Sequence, residues 1–260
     1  MRLNRFLAAA GIGSRRYCDE LIAARRVTIN GTVCSDFSAQ PEPDDYVQVD
    51  GKLVRVGTPL TIMLHKPAGF VSTRKDPHVR DTVFDLLPTK FSRLFNIGRL
   101  DAQTEGLLLV TNDGELAQRL THPRYKVEKE YEVILDRPWD STLAPKLLRG
   151  IVLDGQRARI ARLHPVSATR LRVVLRQGIN RQVRRMFEAL GYHVKHLVRI
   201  RIDSLRLGNL PRGHWRALTQ FELKNLRRRS DIVAAGADRG GRKADHLRER
   251  RGQRPRLQVT

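Results

Sequence analysis

Apolar side chains recur along this chain first at helical spacing and then at strand spacing. Leu3, Phe6, Leu7 and Ala10 predict a helix that Gly11 and Gly13 close. Ser14 is a good N-cap for a second helix, Arg15 to Arg25, whose apolar side is Tyr17, Cys18, Leu21 and Ile22. Val27–Thr28–Ile29 reads as a strand, and Asn30–Gly31 as a two-residue hairpin turn into Thr32–Val33. A second hairpin takes Tyr46–Val49, Asp50–Gly51 and Lys52–Val54. Gly57–Thr58–Pro59 looks like a linker, and Thr61–Leu64 opens a new strand, so a domain boundary is expected near residue 60.

Beyond that boundary the elements lengthen. A strand ends at Ile97, Gly98 allows a tight turn, and Arg99–Leu100–Asp101 sit on a loop before a continuous apolar strand, Leu107 to Thr111. Asn112 is expected to cap the following helix, with Glu115 completing a pair like a capping box. A further strand starts at Lys129–Val133. Val183, Met186, Phe187 and Leu190 form one helical stripe closed by Gly191, which leaves Arg181, Arg184, Arg185 and Glu188 off it. Val198, Ile200 and Ile202 alternate with Arg199 and Arg201, a half-buried strand expected to show its arginines on the other side. The class is α+β, in two domains, 1–60 and 61–225, with a basic tail at 226–260 expected to be disordered.

Composition narrows the partner. The chain has 260 residues, is 40% hydrophobic and carries a formal net charge of +22. A core is affordable, and wholesale disorder is excluded. Residues 1–60 are nearly neutral at +1, residues 61–225 carry +14 and residues 226–260 carry +7. Most of the excess therefore lies on a folded segment, and a phosphate polyanion is the expected partner. Cys18 and Cys34 are too few for a disulfide framework or a zinc site, which points to a reducing compartment. No secretory signal and no membrane-length apolar run is present. A soluble, cytoplasmic, monomeric protein is expected.

The candidate chemistry centres on residues 95–123, FNIGRLDAQTEGLLLVTNDGELAQRLTHP. Asp101 is held on a loop between two buried strands, two residues after Arg99, an arrangement that can present a carboxylate at the mouth of a cleft. Gly98, Arg99, Leu100, Asp101, Thr104, Gly106, Leu107, Leu108, Leu109, Thr111, Asn112, Asp113 and Gly114 resemble the signature of the pseudouridine synthases that act on small- and large-subunit rRNA. Lys129–Glu130–Tyr131–Glu132–Val133 resembles that family's K-x-Y-x-V motif. Residues 176–202, RQGINRQVRRMFEALGYHVKHLVRIRI, resemble its third motif, and residues 208–219, GNLPRGHWRALT, its closing segment. Within the family the third motif is nearest the large-subunit synthase F branch, Gln177 standing where sister branches more often show Glu. The run SRRYCDELIAARRVTING resembles an S4 RNA-binding domain.

The resemblance implies an S4-like domain followed by a catalytic domain with a long mixed, mostly antiparallel sheet flanked by helices. It implies that Asp101 is the nucleophile and that Tyr131 stacks on a flipped-out base. The arginine that keeps the carboxylate ionised is Arg184 or its neighbour Arg185. RNA contacts are implied at Arg99, Leu100, Ala102, Asn180, Arg181, Gln182 and Arg185. In the first domain they fall at Arg15, Arg16, Arg25 and Arg26, where a helix N-terminus adds its own positive pole. Converting uridine to pseudouridine adds and oxidises nothing, so no metal and no organic cofactor is expected. The chain has no P-loop, no G-x-G-x-x-G and no H-E-x-x-H, and His193 and His196 read as strand-surface residues. The implied substrate is 23S rRNA. The alternatives are 16S rRNA, or a non-catalytic RNA-binding assembly factor with the same fold.

Overall fold

The computed structural model describes residues 1–74, 78 and 81–228; of the tail expected at 226–260, residues 226–228 are helical rather than disordered, and the rest lies outside the described residues. Helices α1 (Leu3–Ala9) and α2 (Arg15–Ala23) precede strands β1 (Val27–Ile29), β2 (Thr32–Val33), β3 (Val47–Val49) and β4 (Lys52–Leu53). The Ser14 hydroxyl accepts the Tyr17 N–H at 3.1 Å, which caps α2 as its sequence requires. Asn30–Gly31 and Asp50–Gly51 both have positive φ at their two central positions, the backbone that a two-residue hairpin demands. The strands form one sheet in the order β2-β1-β3-β4. Leu3, Leu7, Cys18, Leu21, Ile22, Val27 and Val47 make its core. Tyr17, expected on the apolar side of α2, is instead 42% exposed.

Next come β5 (Thr61–Lys66), β6 (Phe95–Ile97), β7 (Glu105–Thr111), α3 (Gly114–Thr121), β8 (Lys129–Leu135) and α4 (Ala144–Arg149). They are followed by β9 (Ile151–Leu153), β10 (Gln156–Ala158), β11 (Arg162–Pro165), β12 (Arg170–Leu175), α5 (Gln182–Glu188), β13 (Val194–Ile202), β14 (Leu205–Arg206) and β15 (Trp215–Ala217). A last helix runs over 220–228, and its Leu226 is fully buried.

The chain forms two compact units. One holds residues 1–103, 108–118 and 210–218, and the other holds 104–107 and 119–209 with the C-terminal segment from 219. In the first, β5 lies between β7 and β15, and β6 pairs antiparallel with β7. In the second, the order is β11-β12-β8-β13-β7, antiparallel except for the parallel step from β13 to β7. All seven residues of β7 are buried, as its continuous apolar run predicts.

Two local expectations are corrected. Asp113, not Asn112, caps α3: its Oδ1 accepts the N–H groups of Glu115 and Leu116, both at 3.0 Å. Asn112 is occupied elsewhere, accepting the Leu60 N–H and donating to the Thr58 carbonyl. The arginines of β13 are not a solvent face either. Arg199 is 2% and Arg201 9% exposed. A register shift between them pairs Arg199 with Tyr131 but Arg201 with Glu130, so two arginines two residues apart serve opposite faces of the sheet.

Candidate active site

The loop bearing Asp101 is tied down on both sides. Gly98 has a φ of +67° and turns the chain out of β6. The Leu100 N–H donates to the Ser72 hydroxyl at 3.1 Å, and that hydroxyl donates back to the Leu100 carbonyl at 2.9 Å. On the far side, the Ala102 carbonyl accepts the Gly69 N–H at 2.9 Å and the Lys66 ammonium at 3.0 Å. Asp101 between these anchors is half-buried, and Arg99 is exposed. A carboxylate whose two neighbours are fixed has few conformations to lose on meeting a substrate.

Lys66 is the residue that the pattern of apolar positions gives no reason to single out. It is fully buried, and its ammonium also donates to the Pro67 carbonyl at 2.8 Å. Its signal in the sequence is a lysine ending an apolar strand and followed by Pro67 and Gly69. These two bonds go to backbone carbonyls and hold a turn beside Asp101.

In the second unit one row of residues crosses four strands: Val173 on β12, Tyr131 on β8, Arg199 on β13 and Gly106 on β7. Tyr131 is 9% exposed, with Val133 and Leu135 buried on the same side of its strand. Gly106 is needed for close approach. Its φ is +106°, and a Cβ there would lie 2.3 to 2.9 Å from the backbone of Arg199. Across this gap the Arg199 Nε donates to the Leu107 carbonyl at 2.7 Å.

Helix α5 separates its two candidate arginines. Arg184 is 8% exposed and donates from Nη1 to the Val194 carbonyl at 2.7 Å. Arg185 is bidentate on Asp154, at 2.7 and 2.8 Å, and holds that carboxyl below its usual range. Gln182 is 3% exposed, and its amide donates to the Arg159 carbonyl at 3.0 Å. Leu100 is 6% exposed. The side chains of Gln182 and Leu100 are therefore buried rather than presented to solvent. Asn180 and Arg181 are exposed at the start of α5. Gln177 bonds both the Arg159 N–H and the Arg157 carbonyl, and so finishes β10.

In the first unit Arg15, Arg16, Arg25 and Arg26 are all exposed, and Arg26 pairs with Asp50 at 2.6 Å. A groove of about 490 Å³ beside α2 is lined by Tyr17, Arg26, Lys52, Arg55 and Arg93 among others. The groove sets an exposed aromatic among cations, with Asp50 also in its wall. His193 and His196 are exposed on and beside β13. Among the described residues no cluster of His, Cys, Asp or Glu is arranged to hold a metal, and no helix is long and apolar enough to cross a membrane.

Comparison with known proteins bears on the same segments. The family model described as RNA pseudouridylate synthase matches residues 60–189, and the S4 domain model matches residues 1–47. The chain is 37% identical over 236 residues to ribosomal large subunit pseudouridine synthase B of Bacillus subtilis, covering 88% of this chain and 97% of that one. It is also 37% identical over 229 residues to the dual-specificity RNA pseudouridine synthase RluF of Escherichia coli, covering 87% and 78%. A solved structure, described as a pseudouridylate synthase, superposes with a TM-score of 0.65 at 31% identity over 87% of this chain and 99% of the other. A family match over half the chain, with relatives that match nearly end to end, leads to one conclusion: this chain belongs to the RNA pseudouridine synthase family and carries an S4 domain at its N-terminal end.

Proposed function

We propose that the chain isomerises a specific uridine of ribosomal RNA to pseudouridine, in the large-subunit (23S) molecule. Asp101 is the nucleophile toward the ribose, and Arg184 is its cationic partner. Tyr131 stacks on the target base. The base must be flipped out of its helix, at a cost of about a few kcal/mol. Phosphates and bases of the displaced strand are met by Arg99, Ala102, Asn180 and Arg181. The S4 arginines and the groove by Tyr17 supply a second surface to select one uridine among many. The isomerisation needs no cofactor, and the chain is taken to work as a cytoplasmic monomer.

One observation carries this reading. The aspartate of the signature sits on a loop whose flanking residues are pinned by Ser72 and by a fully buried lysine. A plain turn residue needs no such support. Arg184 is preferred to Arg185 because Asp154 already engages Arg185. The ribosomal large subunit synthase of Bacillus subtilis among the relatives supports ribosomal RNA as the substrate class.

Pseudouridines are to be mapped in rRNA from cells with the protein, without it, and with Asp101→Asn. The expected result is one 23S site that disappears without the protein, returns with the wild type and stays absent with Asp101→Asn, whose RNA affinity is retained. A lost 16S site would move the target to the small subunit. Recovery by Asp101→Asn would remove the nucleophile, and an unchanged map would leave an RNA-binding protein.

A further inference from the structure

The face of the sheet that bears Tyr131 also bears two cations with no carboxylate partner among the described residues. Lys129 precedes Tyr131 by two residues on β8, so both side chains leave the same face. Its ammonium makes one hydrogen bond, to the Val127 carbonyl at 3.2 Å. Its partners in register are Leu175 on β12 and Ile202 on β13, both buried and apolar. Arg199 stands beside Tyr131 on β13; its Nε is used by the Leu107 carbonyl, and its Nη2 is buried with no hydrogen-bond partner. Burial, and then the charge of Arg199, push Lys129 down to about 8.

The acidic residues of this region face the other way. Glu128 takes Arg162, Arg176 and Arg201; Glu130 takes Arg201; Glu132 lies 3.9 Å from Arg170. Glu105 on β7 shares its row with Val198 and Glu132, one residue out of step with Arg199. Beside β13, α5 brings a further cation, Arg184, while its acid, Glu188, is exposed to solvent. Two like charges taken out of water without a counter-ion are costly, and such an arrangement is kept where an anion arrives.

The reaction makes that anion. When the bond between ribose C1′ and uracil N1 breaks, its electron pair stays on the ring and spreads over N1, O2 and O4. The ring then turns, C5 bonds to C1′, the C5 proton leaves and N1 gains one. We propose that Lys129 and Arg199 form a cationic seat beneath Tyr131 for the uracil anion released in the first of these steps. The inference rests on reading the chain as a uridine isomerase and adds the groups that carry the leaving ring's charge.

The test uses the full chain on transcribed rRNA, with steady-state rates from pH 6 to 10 and RNA affinity measured separately. Lys129→Met should lower kcat about 100-fold, the scale of losing one preorganised charge, with RNA affinity within about twofold of wild type. The wild-type kcat/KM should fall as pH rises past about 8, where Lys129 loses its proton. Lys129→Arg, charged throughout, should recover most of the lost turnover and abolish that alkaline fall. Weakened RNA binding at unchanged kcat in Lys129→Met would make the pair a phosphate contact and overturn the seat. So would an unchanged kcat with unchanged binding, or an alkaline fall that persists in Lys129→Arg. Wild-type protein inactive on every rRNA would sink the isomerase reading and the seat together, whereas active wild type with an equally active Lys129→Met sinks the seat alone.

Discussion

Arg184 and Arg185 adjoin in the chain and differ in every other respect. One turn-angle of the helix sends Arg184 to the buried carbonyl of Val194 and Arg185 to the exposed Asp154 in the turn between β9 and β10. Arg184→Ala is expected to cut pseudouridine formation about 100-fold, through loss of a charge that acts on the reacting groups. Arg185→Ala is expected to leave turnover and the urea midpoint near wild type, because exposed pairs contribute little. Equal losses in turnover assays of both variants would reverse the assignment. Lys129 gives a prediction about stability. Its folded value of about 8 lies below the ordinary 10.5, so the unfolded chain holds the proton more tightly. Stability should therefore rise with pH between about 8 and 10.5, and the whole penalty should be felt below 8. Lys129→Met should be more stable at pH 7, by up to about 3 kcal/mol, and flat across that window in urea titrations. A less stable variant at pH 7 would show that the ammonium is not penalised by its surroundings.

At the scale of elements, the two helix starts teach different lessons. Ser14 was legible as a cap because a hydroxyl directly before a helical stripe has one common use. The start of α3 offers two good caps in adjacent positions, Asn112 and Asp113, and local pattern does not choose between them. What separates them is long-range: Asn112 is claimed by Leu60 and Thr58, more than fifty residues away. Asp113→Ala should then cost about 1 kcal/mol as a lost cap, visible as a lowered denaturation midpoint. A neutral result would return the capping role to another group. The bulge in β13 is a second case. Alternation of apolar residues predicted a strand there correctly, but a period of two puts Arg199 and Arg201 on one face. The extra residue, Ile200, lies between the two arginines without a partner on β8, and gives Arg201 to Glu130 and Arg199 to the row of Tyr131.

The whole molecule carries a positive surplus that the described fold does not exhaust. Residues 229–260 add 9 basic and 4 acidic side chains to a chain already basic over 61–225. Because Leu226 is buried in the final helix, a truncation that tests this segment belongs after Arg228. It should flatten the dependence of RNA affinity on salt while leaving turnover at saturating RNA intact. An identical slope would mean that these charges do not meet phosphate. The two N-terminal helices, the paired hairpin turns, the buried β7 and the aspartate on its loop could all be read from spacing and turn chemistry, since each is set by neighbours a few residues away. Lys66 under the loop, the division of labour between Arg184 and Arg185, the opposite faces of Arg199 and Arg201 and the stranded charge of Lys129 could not. Each depends on which distant backbone or carboxylate the folded chain brings within a few ångströms, and local pattern carries no record of that pairing.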